Sequence, residues 1–178
     1  MSVILFITNG YNISMKRFIF CSTALALALF LSFGSSAAEP DKPGTKLITV
    51  QGGYGPGIGA IVSGNIAMAN LGAAHLYGGI QFGANFRHGA VTETKKTDLS
   101  AAPRLMLGFN LGRVVELHFG GLAGIAAQRF DARESNLAFC WGGFGGLRLN
   151  LSDSFALVAE GYYSPMLPYG SAGIAFRF

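Results

Sequence analysis

Five ionisable residues lie inside stretches that are otherwise apolar or small: Arg104, Glu116, His118, Arg148 and Glu160. Buried charge is costly unless it is paired, so the first chemistry these residues suggest is mutual neutralisation. Arg148 and Glu160 flank a turn centred near residue 153 and are expected to face each other across it, anchoring an interior ion-pair network with the other three. The remaining reactive side chains are thinly spread. His75, His88, His118 and Cys140 show no metal-ligand spacing, so no metal is assigned. A nucleophilic serine needs a nearby histidine and acid. Only His88, Asp98 and Ser100 are placed to converge, at the base of one loop, and no catalytic residue is assigned. The glycine-rich "GGYGPGIG" at 52 to 59 lacks the lysine and following helix that hold phosphate, and reads as strand, turn and strand. No cofactor is implied, and no cluster of Lys and Arg with interleaved aromatics exists to hold nucleic acid.

The elements that must carry these residues show a period of two. In "HLYGGIQFGANFR", Leu76, Ile80, Phe82 and Phe86 share one parity while Tyr77, Gln81, Asn85 and Arg87 share the other. "RLMLGFNL" and "VELHFGGLAGIAAQ" repeat the pattern, with Arg104, Glu116 and His118 on the second parity. A soluble β-protein would crowd that second face with charge. Only 12% of this chain is charged, and the face is mostly Gly, Ala, Ser, Asn and Gln. Inverting the geometry removes the conflict: bulky apolar residues meet lipid and small polar ones fill a narrow lumen. In hydrocarbon, strands can span only as a closed barrel, because each backbone donor and acceptor must be paired. The one helical candidate, "IGAIVSGNIAMANLGAAHLYGGI", is weakened by its glycines, each costing about 1 kcal/mol against alanine inside a helix.

An Asn-Leu-small step recurs every 40 residues, at Asn70-Leu71-Gly72, Asn110-Leu111-Gly112 and Asn150-Leu151-Ser152. Asn and Gly tolerate positive φ, and Ser and Asp bond their own backbone, so all three sites suit tight turns. Two membrane strands with one turn and one longer loop use roughly 30 to 45 residues. The repeat is thus an up-and-down pair of strands, and three turns imply eight strands, near 46–54, 57–68, 75–87, 101–111, 114–129, 137–150, 155–163 and 169–178. The opposite connections are Gly55-Pro56, 88–100, 130–136 and 164–168, where charge gathers. An even strand number puts both chain ends on the side of the tight turns, the periplasmic side.

The first 38 residues stand apart. Met15-Lys16-Arg17 precedes an apolar run from Phe18 to Phe33 and then the small residues Ser36-Ala37-Ala38, the plan of a cleavable secretory signal. Cleavage is expected after Ala38, with residues 1–14 an upstream extension and Met15 an alternative start to Met1. Residues 39–45 form a short tail before a domain at 46–178. Removing Lys16 and Arg17 lowers the formal charge of +4 by two. Cys21 leaves with the signal, and Cys140 remains as a small apolar filler.

The chain closes on "SAGIAFRF", an alternating strand with Phe176 and a terminal Phe178. This resembles the C-terminal aromatic strand that bacterial outer-membrane proteins present to the barrel assembly machinery. With the signal, size and strand count, residues 45–178 resemble the small eight-stranded outer-membrane barrels of the OmpA-domain and OmpX type, and more loosely the OmpW group. The resemblance implies an all-β, antiparallel up-and-down transmembrane barrel in the bacterial outer membrane, monomeric, with lipid and the assembly machinery as its partners. It also implies a structural or surface role, with passage of small ions or solutes through a charge-plugged lumen as a further function. Outer-membrane lipid A deacylases share this strand number, but no His-x-Ser-Asn arrangement like theirs is present, and no enzyme is expected. Adhesion through loops is the other reading. Against it, Glu93, Lys95, Lys96, Asp98, Asp131, Arg133 and Glu134 are of mixed sign on short loops, which offer little of the roughly 800 Å² per partner of a standard interface. Aromatic girdles are expected from Phe86, Phe139, Trp141, Tyr162, Tyr163 and Tyr169 at one rim and Phe155, Phe176 and Phe178 at the other.

Overall fold

A computed structural model describes residues 41–178 apart from 56, 73, 89–94, 113 and 131–133, and without the side chains of 88 and 134. The expected signal, its cleavage site and the alternative starts lie outside the described residues.

Eight strands follow in order: β1 (Lys46–Tyr54), β2 (Ile58–Asn70), β3 (Ala74–His88), β4 (Lys95–Leu111), β5 (Val115–Phe130), β6 (Glu134–Asn150), β7 (Phe155–Tyr163) and β8 (Gly170–Arg177). Each pairs antiparallel with its sequence neighbours, and β1 pairs with β8, closing the barrel. The closure extends to the last residue: Lys46 N–H donates to the Phe178 carbonyl at 3.0 Å and Phe178 N–H donates back at 2.9 Å.

Alternation decides which side of each ribbon faces out. Ile80 and Phe82 of β3 and Leu105 of β4 are about half exposed on the outside, while Tyr77, Gln81 and Asn85 of β3 are buried within. The buried set also includes Gln51, Asp98, Arg104, Glu116, His118, Arg148 and Glu160. An apolar exterior around a polar interior is the polarity of a transmembrane barrel. Eight strands leave a lumen that side chains can fill, and here they do.

The tight turns carry the backbone conformations expected of them. Gly72 and Gly112 have φ of 84° and 80°, in the left-handed region that glycine enters freely. Asn70 Oδ1 accepts from the Gly72 N–H at 2.9 Å, and Ser152 Oγ accepts from the Ser154 N–H at 3.4 Å. These turns and both described chain ends define one end of the barrel, the turn end; the other is the loop end.

Two expected boundaries move. The connection anticipated over 88–100 is largely strand, because β4 begins at Lys95 and pairs in register with β3 as far as Lys95 opposite His88. Asp98 is consequently a buried lumen residue and not a loop charge. The strand expected from 137 starts at Glu134, paired with Phe130. As a result β3 to β6, at 15 to 17 residues, make a taller wall than β7, β8 and β1, at 8 or 9.

Candidate functional site

Among the described residues the lumen gathers most of the paired ionisable groups, and it is organised along the barrel axis. At the turn end, Arg148 of β6 is the centre. The β5–β6 register sets Glu116 opposite Arg148, and the two form an ion pair. Asp41 enters from the segment before β1, taking Arg148 Nη2 at 2.7 Å and Arg177 of β8 at 2.5 Å. The Tyr77 hydroxyl donates to Asp41 at 2.8 Å and accepts from Arg148 at 3.0 Å, with Glu116 3.1 Å away. Two guanidinium groups and two carboxylates cancel, which is the condition for holding charge out of water.

Midway, Glu160 of β7 joins Arg104 of β4 at 2.8 Å and His118 of β5 at 2.9 Å, across the lumen. Gln51 Nε2 donates to the second Glu160 oxygen at 2.9 Å, and the Tyr162 hydroxyl bonds the same carboxylate. Arg104 also donates to Gln81 at 2.8 Å and lies over the Phe144 ring, 3.9 Å from its centroid. Every strand but β2 and β8 supplies a residue to this layer, and Ser171 of β8 reaches it by donating to Gln51.

Toward the loop end the charges move to the rim, where Asp98 pairs with Arg87 at 2.6 Å and Lys96 at 3.4 Å. Between rim and middle layer the lumen is mostly apolar: Ile61, Ala102, Leu122, Ala126 and Cys140 are buried in one cluster with Met166 and Leu167, beside the hydroxyls of Ser100 and Ser164. Those last two belong to the connection between β7 and β8, which folds inward.

Arg104, Glu116, His118, Arg148 and Glu160 are thus all buried in the lumen, but in two separate layers. Arg148 does not meet Glu160. The β6–β7 register places Glu160 opposite Gly146 and Arg148 opposite Val158, so the nearest acid to Arg148 is on its other neighbour, β5. Asn70 caps its own turn, but Asn110 and Asn150 turn elsewhere: Asn110 Nδ2 lies 2.7 Å from His75 Nε2, and Asn150 Oδ1 accepts from Arg177 at 2.9 Å. Tyr162 leaves the expected girdle, because Tyr163 points out and its neighbour must point in. Phe86, Phe139, Trp141, Tyr163 and Tyr169 are exposed at the loop end and Phe176 and Phe178 at the turn end. Asp41 and the inward-folded connection are the features that strand periodicity does not show. The signal for the connection is two large apolar residues between Pro165 and Pro168 in what reads as an exposed loop.

His118, the one histidine in the middle layer, is bound to a carboxylate on a different strand and has no serine among its partners. Asp98 and Ser100 are buried near each other on β4, while the His88 side chain lies outside the described residues. Among the described residues no group of His, Cys, Asp and Glu is arranged to hold a metal ion.

No family model and no curated protein matches the sequence. Among solved structures the chain is similar to Ail, the attachment invasion locus protein of Yersinia pestis, at 17% identity over 77% of this chain and 100% of that one, with a TM-score of 0.52. A neisserial surface protein A aligns at 12% identity over 75% of this chain and 95% of its own, with a TM-score of 0.49. A de novo designed transmembrane β-barrel aligns at 15% identity over 79% and 100%, with a TM-score of 0.46. The likeness to Ail shows a shared fold.

Proposed function

We propose that the chain is a monomeric bacterial outer-membrane barrel with a structural or surface role, its lumen shut to solutes and both ends of the mature chain in the periplasm. The observation that carries this reading is the inverted polarity: half-exposed aliphatic and aromatic side chains around two layers of paired buried charge. Outer-membrane lipid covers the exterior. The ion-pair layers favour a filled lumen over a conducting one, since an ion crossing the middle layer must part Arg104 from Glu160 in low dielectric. No catalytic role is included, because the buried His118 is engaged by Glu160. Phe176 and Phe178 act as the recognition signal for the assembly machinery, Phe176 beside Ile48 and Phe155 in the closing strand.

The test begins with membrane fractionation and heat-modifiable gel mobility, which should place folded protein in the outer membrane; recovery in the inner membrane or the soluble fraction overturns the location. Planar-bilayer recordings of the same sample should be silent, and reproducible steps of constant size would overturn the closed lumen. A surface-attachment role is the second reading, favoured by the taller β3–β6 wall, whose ends carry Lys95, Lys96 and Arg129. Binding of intact cells to host-type surfaces, lost when residues 89–94 and 131–133 are replaced by glycine and serine, would select it.

A further inference from the structure

The connection from Ser164 to Tyr169 dips into the lumen at its middle, with Pro165 and Tyr169 left exposed. Met166, Leu167 and Pro168 are buried, and a side chain cannot be added where they sit. A Cβ at Gly53 or Gly59 would lie 2.6 Å from Pro168, one at Gly83 would lie 2.7 Å from Leu167, and one at Gly142 would lie 2.8 Å from Ser164. Four glycines on β1, β2, β3 and β6 therefore form a seat shaped to this segment. The polar ties of the segment are few. The Pro165 carbonyl accepts from Arg87, the Tyr169 carbonyl accepts from the Tyr162 N–H at 2.8 Å and Ser164 bonds Cys140, while the Met166 N–H donates only within the segment, to Ser164 Oγ at 3.4 Å, and two of the six residues are prolines with no N–H to give. One flank is open, along a cleft of about 310 Å³ lined by Trp141, Tyr162, Tyr163, Ser164, Pro165 and Tyr169. Below the segment lies the Arg104–Glu160 layer, to which the segment is tied by one backbone hydrogen bond, from the Tyr162 N–H to the Tyr169 carbonyl at 2.8 Å.

We propose that the β7–β8 connection is a displaceable plug over a blind apolar chamber: it opens as a unit while the ion-pair layers beneath stay closed. The physical basis is the contrast in bonding. Segments held by few buried polar ties open locally at lower free energy than the strands that flank them. When the plug is out, the chamber lined by Ile61, Ala102, Leu122 and Ala126 is open toward the loop end and floored by the middle layer. It then suits a small apolar molecule and passes nothing through. This deepens the reading of a shut lumen, and it can fail while that reading stands.

Cys140, buried in the same cluster, reports the state of the plug. The experiment is timed reaction of the folded, vesicle-inserted mature chain with a charged methanethiosulfonate, with the site of modification read by mass spectrometry. The wild-type thiol should react slowly but to completion while gel mobility still shows a folded barrel. Replacing Pro165 to Pro168 with glycine and serine should speed the reaction by about tenfold or more. R87Q, which weakens one tie and leaves the seat intact, should fall between the two. Conductance should be absent in all three. A wild-type thiol that stays inert until the barrel is denatured shows a fixed filler and overturns the proposal. A wild-type rate equal to that of the loop variant shows that the segment does not cover the chamber and overturns it as well. If the loop variant loses its folded mobility, the wild-type and R87Q rates alone decide. Conductance appearing in the loop variant would show that the layers beneath do not close, and would sink the blind chamber and the shut lumen separately from the plug.

Discussion

The turn-end and loop-end halves of this lumen are filled by different means. At the turn end, side chains from the segment before β1 and from β3, β5, β6 and β8 converge on Arg148 in a neutral, mutually bonded cluster. At the loop end a six-residue connection inserts two apolar side chains among alanines, Ile61, Leu122 and Cys140. Ion pairs and hydrogen bonds are directional, so the first arrangement fixes the stagger of strands against one another. Apolar packing is not directional, and its filler can be withdrawn without leaving a charge unpaired. The barrel is tied by a buried cluster at one end and stoppered at the other beneath a rim of ion pairs around Asp98.

Chemical denaturation in lipid vesicles tests that difference directly. The largest loss is expected for Arg148→Ala, which strands the Glu116 carboxylate in a dry lumen, leaves Asp41 with Arg177 alone and should cost about 3–5 kcal/mol. Glu160→Gln keeps the shape of the middle layer but removes the charge that offsets Arg104, and a loss of about 2–3 kcal/mol is expected from weakened charged hydrogen bonds. Gly79→Ala, between the two layers, sets a Cβ against the Gly64 carbonyl and Asn65, and overpacking of this kind costs about 1–3 kcal/mol; a value near 2 is expected. The smallest loss should come from Leu167→Ala at the loop end. A fixed core leucine would cost about 2–5 kcal/mol, whereas a filler that opens on its own should shift global unfolding by less than about 1 kcal/mol. A Leu167→Ala loss equal to that of Arg148→Ala would erase the distinction between the halves.

Much of the architecture is legible in the residues because the side-chain period of a strand is two. Parity assigns Arg104, Glu116, His118, Arg148 and Glu160 to one face, and the positions of Gly72 and Gly112 follow from the backbone that a tight turn demands. Parity says nothing about stagger, and stagger chooses partners. Arg148 has Glu116 on one neighbouring strand and Val158 on the other, a fact of register that alternation leaves open. Asp41 escapes a strand-based reading because it is outside every strand, and its role comes from where the chain enters the barrel. Met166 and Leu167 escape it for a similar reason. Prolines on both sides mark a connection, and the burial of that connection depends on glycines contributed by four distant strands. The slip over Tyr162 is simpler: an aromatic residue near a rim suggests an interface, but its neighbour Tyr163 already holds the outward position.

The seam between β1 and β8 joins Lys46 to Phe178, nearly the two extremes of the barrel sequence. A ring sealed by such a pair has no intermediate with all edges satisfied: until the last strand exists, two edges of unpaired amides must be shielded from hydrocarbon. The contact of greatest sequence separation is therefore also the one that finishes the molecule, and loop-closure entropy makes it late. The barrel is therefore closed only when β8 has paired with β1.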